Sequence, residues 1–222
     1  MATCIDSLIT HHECVVGIQK WHWVEMGTGD PILLLHGVPE SWYCWHNQIP
    51  FLARQFRVIA LDLKGYGRSG KDDGDYTTPT CAREIISLLD HLGIENFRLA
   101  GHDWGSPIAD RICEQVPGRV IQYVRASISV HRYDVRNSLH HLFLNHHPDA
   151  GARLMNRAAA YVQAWFDSSC YPETKPPQIE IDRIALEFSQ PGVGDAVVRY
   201  FRDMSKTPPM DYSKLTMPVL YI

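Results

Sequence analysis

The 222-residue chain predicts an α/β protein: a mostly parallel sheet with helices on both faces and a helical block inserted before the last strand. Three observations carry this. Apolar runs of strand length alternate with stretches of helical spacing through residue 130. The runs at 31–35 (PILLL) and 57–61 (RVIAL) are apolar throughout, as strands buried on both faces are. Beyond them, residues 131–212 carry helical patterns and little strand signal, until a last apolar run at 217–222 (MPVLYI).

Taken in order, residues 13–19 and 20–25 read as two short strands, the second alternating large apolar and polar residues at period 2. Residues 27–30 (GTGD) are a turn. The buried strands at 31–35 and 57–61 follow. Residues 80–93 have helical spacing, with Ile85, Leu88, Leu89 and Leu92 on one face and Gly93 at the stop position. Residues 97–100 form a strand and 106–116 a helix that tolerates Pro107 in its first turn. A strand lies within 120–130, and a polar, proline-bearing loop at 168–177 interrupts the helical block. The expected division is a core at 1–130, a helical cap at 131–212 and a return to the core at 213–222. No internal repeat is visible.

Composition bounds the function. A 45% hydrophobic chain of this length supports one sizeable core, and a net charge of −4 with scattered Lys and Arg argues against nucleic acid as a partner. The six cysteines, at 4, 14, 44, 81, 113 and 170, contain no CxxC pair, which disfavours zinc and thioredoxin readings and points to reduced thiols. No signal peptide or membrane-spanning run is visible, and a cytoplasmic protein is expected.

The chemistry concentrates in three glycine turns at strand ends. Reactive groups of open parallel sheets collect at the carboxyl ends of strands. In GHDWG, Gly101 and Gly105 flank Asp103 where a strand meets a helix, so its side chain can stand up from a tight elbow. Two roles are open to it. A carboxylate there can attack an electrophilic carbon and form an ester, or it can cap the helix. HGVP at 36–39 follows the strand 31–35, and the Val38 N–H is a candidate oxyanion donor. DLKGYGRS at 62–69 follows the strand 57–61 and lacks the GxxxxGK[ST] form of a phosphate loop.

Together HGVPESWYCW, DLKGYGRS and GHDWGSPIA resemble the α/β-hydrolase superfamily, in particular its epoxide hydrolase and haloalkane dehalogenase branch, over roughly residues 13–222. The resemblance implies an α/β-hydrolase core with a helical cap, Asp103 as nucleophile, and the N–H groups of Val38 and Trp104 as oxyanion hole. It implies that His36 and Pro39 shape the substrate-side turn and that Trp104 borders the substrate. The substrate class would be small apolar electrophiles, epoxides ahead of alkyl halides, with no cofactor and no metal. Cap tyrosines donate a proton to the epoxide oxygen in that branch, and Tyr161 and Tyr200 are the candidates here. Phe201 stands directly before Arg202, where the family tends to place its tyrosine. Both candidates are equally open to a packing role under the cap.

Other residues take bland readings. His140, His141, His146 and His147 read as solvated surface rather than a zinc site. Ser106 lies beyond the elbow, so a serine nucleophile is disfavoured. His102 reads as pocket lining, and Trp42 and Trp45 as core or pocket wall. In this superfamily the nucleophile, acid and histidine come in that chain order. The resemblance places the acid after the strand at 217–222 and the histidine later still, with Asp134 an alternative acid. A truncated chain lacking the C-terminal part of the core is expected, with impaired turnover of the ester. A dehalogenase-like hydrolase and a non-catalytic binding protein remain alternatives.

Overall fold

The computed structural model describes residues 5–126, 144, 146, 147 and 149–222. Seven strands form one sheet in the order β1-β2-β4-β3-β5-β6-β7. They are β1 (Thr10–Val16), β2 (Gln19–Met26), β3 (Asp30–Leu35), β4 (Phe56–Asp62), β5 (Phe97–His102), β6 (Val120–Ala126) and β7 (Val219–Tyr221). The first pairings, β1 with β2 and β2 with β4, are antiparallel, and the remaining four are parallel. The predicted α/β class with a mostly parallel sheet is therefore what the chain forms. The part of the expected 120–130 strand beyond Ala126 lies outside the described residues.

The apolar runs fill the sheet centre. Leu33, Leu34 and Leu35 of β3 and Val58 to Leu61 of β4 are essentially inaccessible, because helices cover both faces. Helix α2 (Thr78–His91) buries Cys81, Ala82, Ile85, Leu88 and Leu89 on one face. It stops as expected: Gly93 adopts a left-handed φ of 66°, and the Ile94 N–H returns to the Leu89 carbonyl at 2.9 Å. Helix α3 (Gly105–Gln115) packs under β5 and β6. A short helix, α1 (Ile49–Leu52), was not foreseen.

One boundary differs for a clear reason. The first strand lies at Thr10–Val16 rather than 13–19, because Gly17 (φ 64°) and Ile18 (85% exposed) form the two-residue turn of a hairpin.

Between β6 and β7 the described residues include the α-helices α4 (Ala150–Met155), α5 (Ala158–Ser169), α6 (Gln178–Phe188) and α7 (Val193–Met204). Their inner faces bury Val162, Phe166, Ile184, Phe188, Val197 and Phe201 against one another and the sheet's carboxyl end. Among the described residues no helix is long and apolar enough to cross a membrane.

Candidate active site

Three turns meet at the carboxyl ends of β3, β4 and β5. Asp103, just after β5, has φ 48°, and among the described non-glycine residues it alone has positive φ. That conformation costs on the order of 1–3 kcal/mol and is kept because the surroundings enforce it. Gly37 and Gly105 show how tightly they do so. A Cβ on Gly37 would strike the Asp103 side chain, and one on Gly105 the Leu35 carbonyl. The elbow is thus pressed against the turn after β3. There the Val38 N–H donates to Asp103 Oδ1 at 2.8 Å. Trp104 directly precedes α3, so its N–H belongs to the unsatisfied set that opens a helix.

His36 and Pro39 fix the facing turn. His36 is fully buried; its Nδ1–H donates to the Gly37 carbonyl at 2.8 Å, and its Nε2 accepts from the Leu63 N–H at 3.0 Å. These bonds need the neutral tautomer, and burial pushes its pKa down to about 4. The Val38–Pro39 peptide is cis. Asp62, ending β4, anchors the third turn. Its carboxylate accepts from the Trp42 N–H, the Arg68 N–H and His22 Nδ1 at 2.9, 2.9 and 2.6 Å. Burial alone would raise its pKa, but these donors hold it below the usual carboxylate range.

The expected tyrosines separate. Tyr161 in α5 is partly buried and stacks on Phe188 at 5.7 Å; burial and the negative charge of Asp103 push its hydroxyl up to about 12. Tyr200 in α7 is fully buried, and its hydroxyl donates to the Lys64 carbonyl at 2.9 Å. A phenol has one proton, so Tyr200 is corrected from candidate donor to packing residue. Its ring lies against Trp104, which also meets Phe201 edge-on, both at 5.4 Å.

Two residues escaped the sequence reading. Tyr66, in the turn after β4, is 1% exposed, and its hydroxyl has no hydrogen-bond partner. Burial, then the charge of Asp103, raises its pKa well above the ordinary value, so it keeps its proton. The signal was present: Gly65 and Gly67, with φ 88° and 49°, set Tyr66 on a tight turn at a strand's end. Glu40 is the second. Burial, then Asp103, pushes its carboxyl up to about 8, and its Oε2 lies 3.2 Å from His102 Nε2.

The remaining candidates fall away from the nucleophile or into the walls. Ser106 is buried, and its Oγ is shared between the Gly101 and Ala126 carbonyls at 2.8 Å each. Trp42 is buried and Trp45 meets the His102 ring at 5.3 Å. His146 is exposed, and the His147 Nδ1 accepts from the Asp149 N–H at 3.2 Å. Asp134, His140 and His141 lie outside the described residues.

A half-buried carboxylate on a positive-φ elbow between a parallel strand and a helix, faced by a backbone N–H from a neighbouring strand end, is the site plan of a nucleophile-elbow hydrolase. The chain belongs to the alpha/beta hydrolase fold family, which matches residues 30–206.

Several of its relatives are epoxide hydrolases by name. It is 46% identical to the soluble epoxide hydrolase of Corynebacterium sp. (strain C12) over 101 residues, which is 46% of this chain and 35% of that protein. It is 42% identical to epoxide hydrolase 3 of Siraitia grosvenorii over 112 residues, 49% of this chain and 35% of that one. The matched stretch thus spans about a third of these relatives' length. Among solved structures, the epoxide hydrolase CorEH superposes with a TM-score of 0.85 at 28% identity, over 96% of this chain and 81% of that one. An epoxide hydrolase of Vigna radiata gives 0.79 at 24% identity, over 97% and 79%, a likeness of fold.

Proposed function

We propose that this protein is a hydrolase of small apolar epoxides, with Asp103 as its nucleophile. The observation that carries the reading is the strained Asp103 elbow with the Val38 N–H at 2.8 Å from its carboxylate. An Asp103 oxygen attacks an epoxide carbon, the ring C–O bond breaks, and the oxygen takes a proton from a phenol. Tyr161 supplies that proton, and Tyr66 is the second hydroxyl within the reach of Asp103's charge. The product is a hydroxyalkyl ester on Asp103. The N–H groups of Val38 and Trp104 serve the oxyanion formed when water later attacks that ester. The helices between β6 and β7 act as the cap, and their buried aromatics Phe188 and Phe201, the latter meeting Trp104 of the core edge-on, suit an apolar substrate.

Ester hydrolysis is the slower half. The two histidines at these turns are committed, His36 through both ring nitrogens and His102 through contacts with Glu40 and Cys44. Alkylation is therefore expected to outrun release of diol. The test is intact mass after incubation with an aryl epoxide. A one-substrate mass gain mapping to Asp103, and absent in Asp103→Asn, supports the reading. No gain and no diol from folded protein overturns it. With an alkyl halide, release of halide ion at a higher rate would move the reading to dehalogenation.

A further inference from the structure

We propose that Glu40, Cys44 and His102 form a binding site for one soft divalent cation, Zn2+ or Cd2+, beside Asp103. The three side chains come from separate segments. Glu40 follows the cis-proline turn after β3, Cys44 sits in the 3-10 turn Trp42–Trp45, and His102 ends β5. Their ligand atoms all lie within 4.8 Å of one another. His102 Nε2 is 3.2 Å from Glu40 Oε2 and 3.3 Å from Cys44 Sγ.

These spacings are those of a coordination shell. With zinc bonds of about 2.0–2.1 Å to nitrogen and oxygen and about 2.3 Å to sulfur, tetrahedral edges come to about 3.4 Å for N···O and about 3.6 Å for S···N. The observed pairs need to open by only a few tenths of an ångström. Hydrogen bonding explains the trio less well. A single Nε2 carries either one proton or one lone pair in the ring plane, yet a carboxylate oxygen and a thiol both crowd that one atom. A cation in the proton's place satisfies all three.

The ligand set also selects the ion. Thiolate with imidazole favours zinc-like metals over Mg2+ or Ca2+, and one carboxylate completes a three-ligand site with a position open. The pocket is neither sealed nor bare: the Glu40 and His102 side chains are 16% and 25% exposed.

Asp103 is the next residue after His102 and close enough to Glu40 for the two carboxyls to repel. A bound cation would attract the Asp103 carboxylate and blunt its nucleophilicity. This consequence rests on the function proposed above; binding itself does not.

The experiment is titration of the purified chain with Cd2+. It follows the thiolate-to-cadmium charge-transfer band and, by mass spectrometry, which thiols remain open to iodoacetamide. One Cd2+ per chain is expected, with Cys44 protected and Cys14 and Cys170 not. Cys44→Ser should abolish the band, and Glu40→Gln should weaken binding at least tenfold. A band that survives Cys44→Ser, or saturation without protection of wild-type Cys44, overturns the site, and the second readout needs no variant to fold. Ester formation at Asp103 should slow at least tenfold when Cd2+ is bound. If Cd2+ binds at Cys44 but no ester forms with or without it, the site stands and the hydrolase reading fails.

Discussion

Three phenols crowd the carboxyl end of the sheet, and each has a single proton to give. Tyr200 has spent its own on the Lys64 carbonyl, whereas the Tyr66 hydroxyl has no partner and Tyr161 faces the field of Asp103. Phenylalanine substitutions should therefore split into two groups. Tyr200→Phe is expected to lower unfolding stability by about 1 kcal/mol, the net worth of one hydrogen bond, and to leave the rate of ester formation within a factor of two or so. Tyr161→Phe and Tyr66→Phe should slow ester formation by roughly a hundredfold for the main donor and less for the other, with stability nearly unchanged. Urea unfolding and single-turnover alkylation, measured on all three variants, check this. His36 gives a pH prediction. Its folded pKa, about 4, lies below the ordinary 6.5, so the unfolded chain binds the proton more readily. Its contribution is fully present above about pH 6.5 and is lost as pH falls through 4. Between pH 7.5 and 4.5 the stability gap between wild type and His36→Asn should narrow by about 2.5 kcal/mol, read by urea unfolding at each pH.

At the scale of elements, the turns that carry the chemistry are held by absent side chains. Gly105 begins α3 at a point where the helix backbone lies against the end of β3, and a methyl group there meets the Leu35 and His36 carbonyls. Those are backbone atoms in the sheet centre and cannot swing aside. Gly105→Ala should cost about 3 kcal/mol or more and shift the elbow, so its thermal midpoint and its ester yield should fall together. Gly93→Ala is the contrast. Nothing lies within 4 Å of its added Cβ, so only the strain of φ 66° is at stake, about 1 kcal/mol, and ester formation should be unaffected.

The same scale shows what the sequence made legible. Strands β3, β4 and β5 were readable because burial on both faces leaves uninterrupted apolar runs, and the Asp103 elbow because glycines mark the close approaches around it. Tyr66 was legible only as a residue on a glycine-marked turn, and Glu40 not at all, since neither an orphaned hydroxyl nor a raised carboxyl pKa has a local pattern. Both arise only when three strand ends converge. Tyr200 misled for a related reason: helical position fixes which face it occupies, not which carbonyl its proton finds.

Across the whole molecule, the helices between β6 and β7 must be held over the sheet. They are tied by polar contacts to distant segments as well as by apolar burial. Asp203 of α7 accepts from the Tyr76 N–H at 2.8 Å, and Glu187 of α6 bonds Ser41 beside the turn after β3. The most articulated tie is Arg183 of α6. Its guanidinium grips Asp6 through two bonds of 2.7 Å and lies over the Tyr43 ring at 4.0 Å. It thereby joins the N-terminal turn, the wall of the site and the helical layer through one side chain. Because the group is partly exposed, the ion pair alone is weak, and the stacked cation adds to it. Arg183→Ala should release α6 by about 1 kcal/mol, a roughly fivefold gain in its opening. Hydrogen exchange across Gln178–Phe188 should quicken by that factor, while amides of β3 and β5 keep their protection. If the helical layer governs access to Asp103, an epoxide too bulky for the wild-type site should then alkylate the variant faster. Equal acceleration of exchange in β3 would instead mean that the tie stabilises the fold as one unit, with no separate motion of the layer.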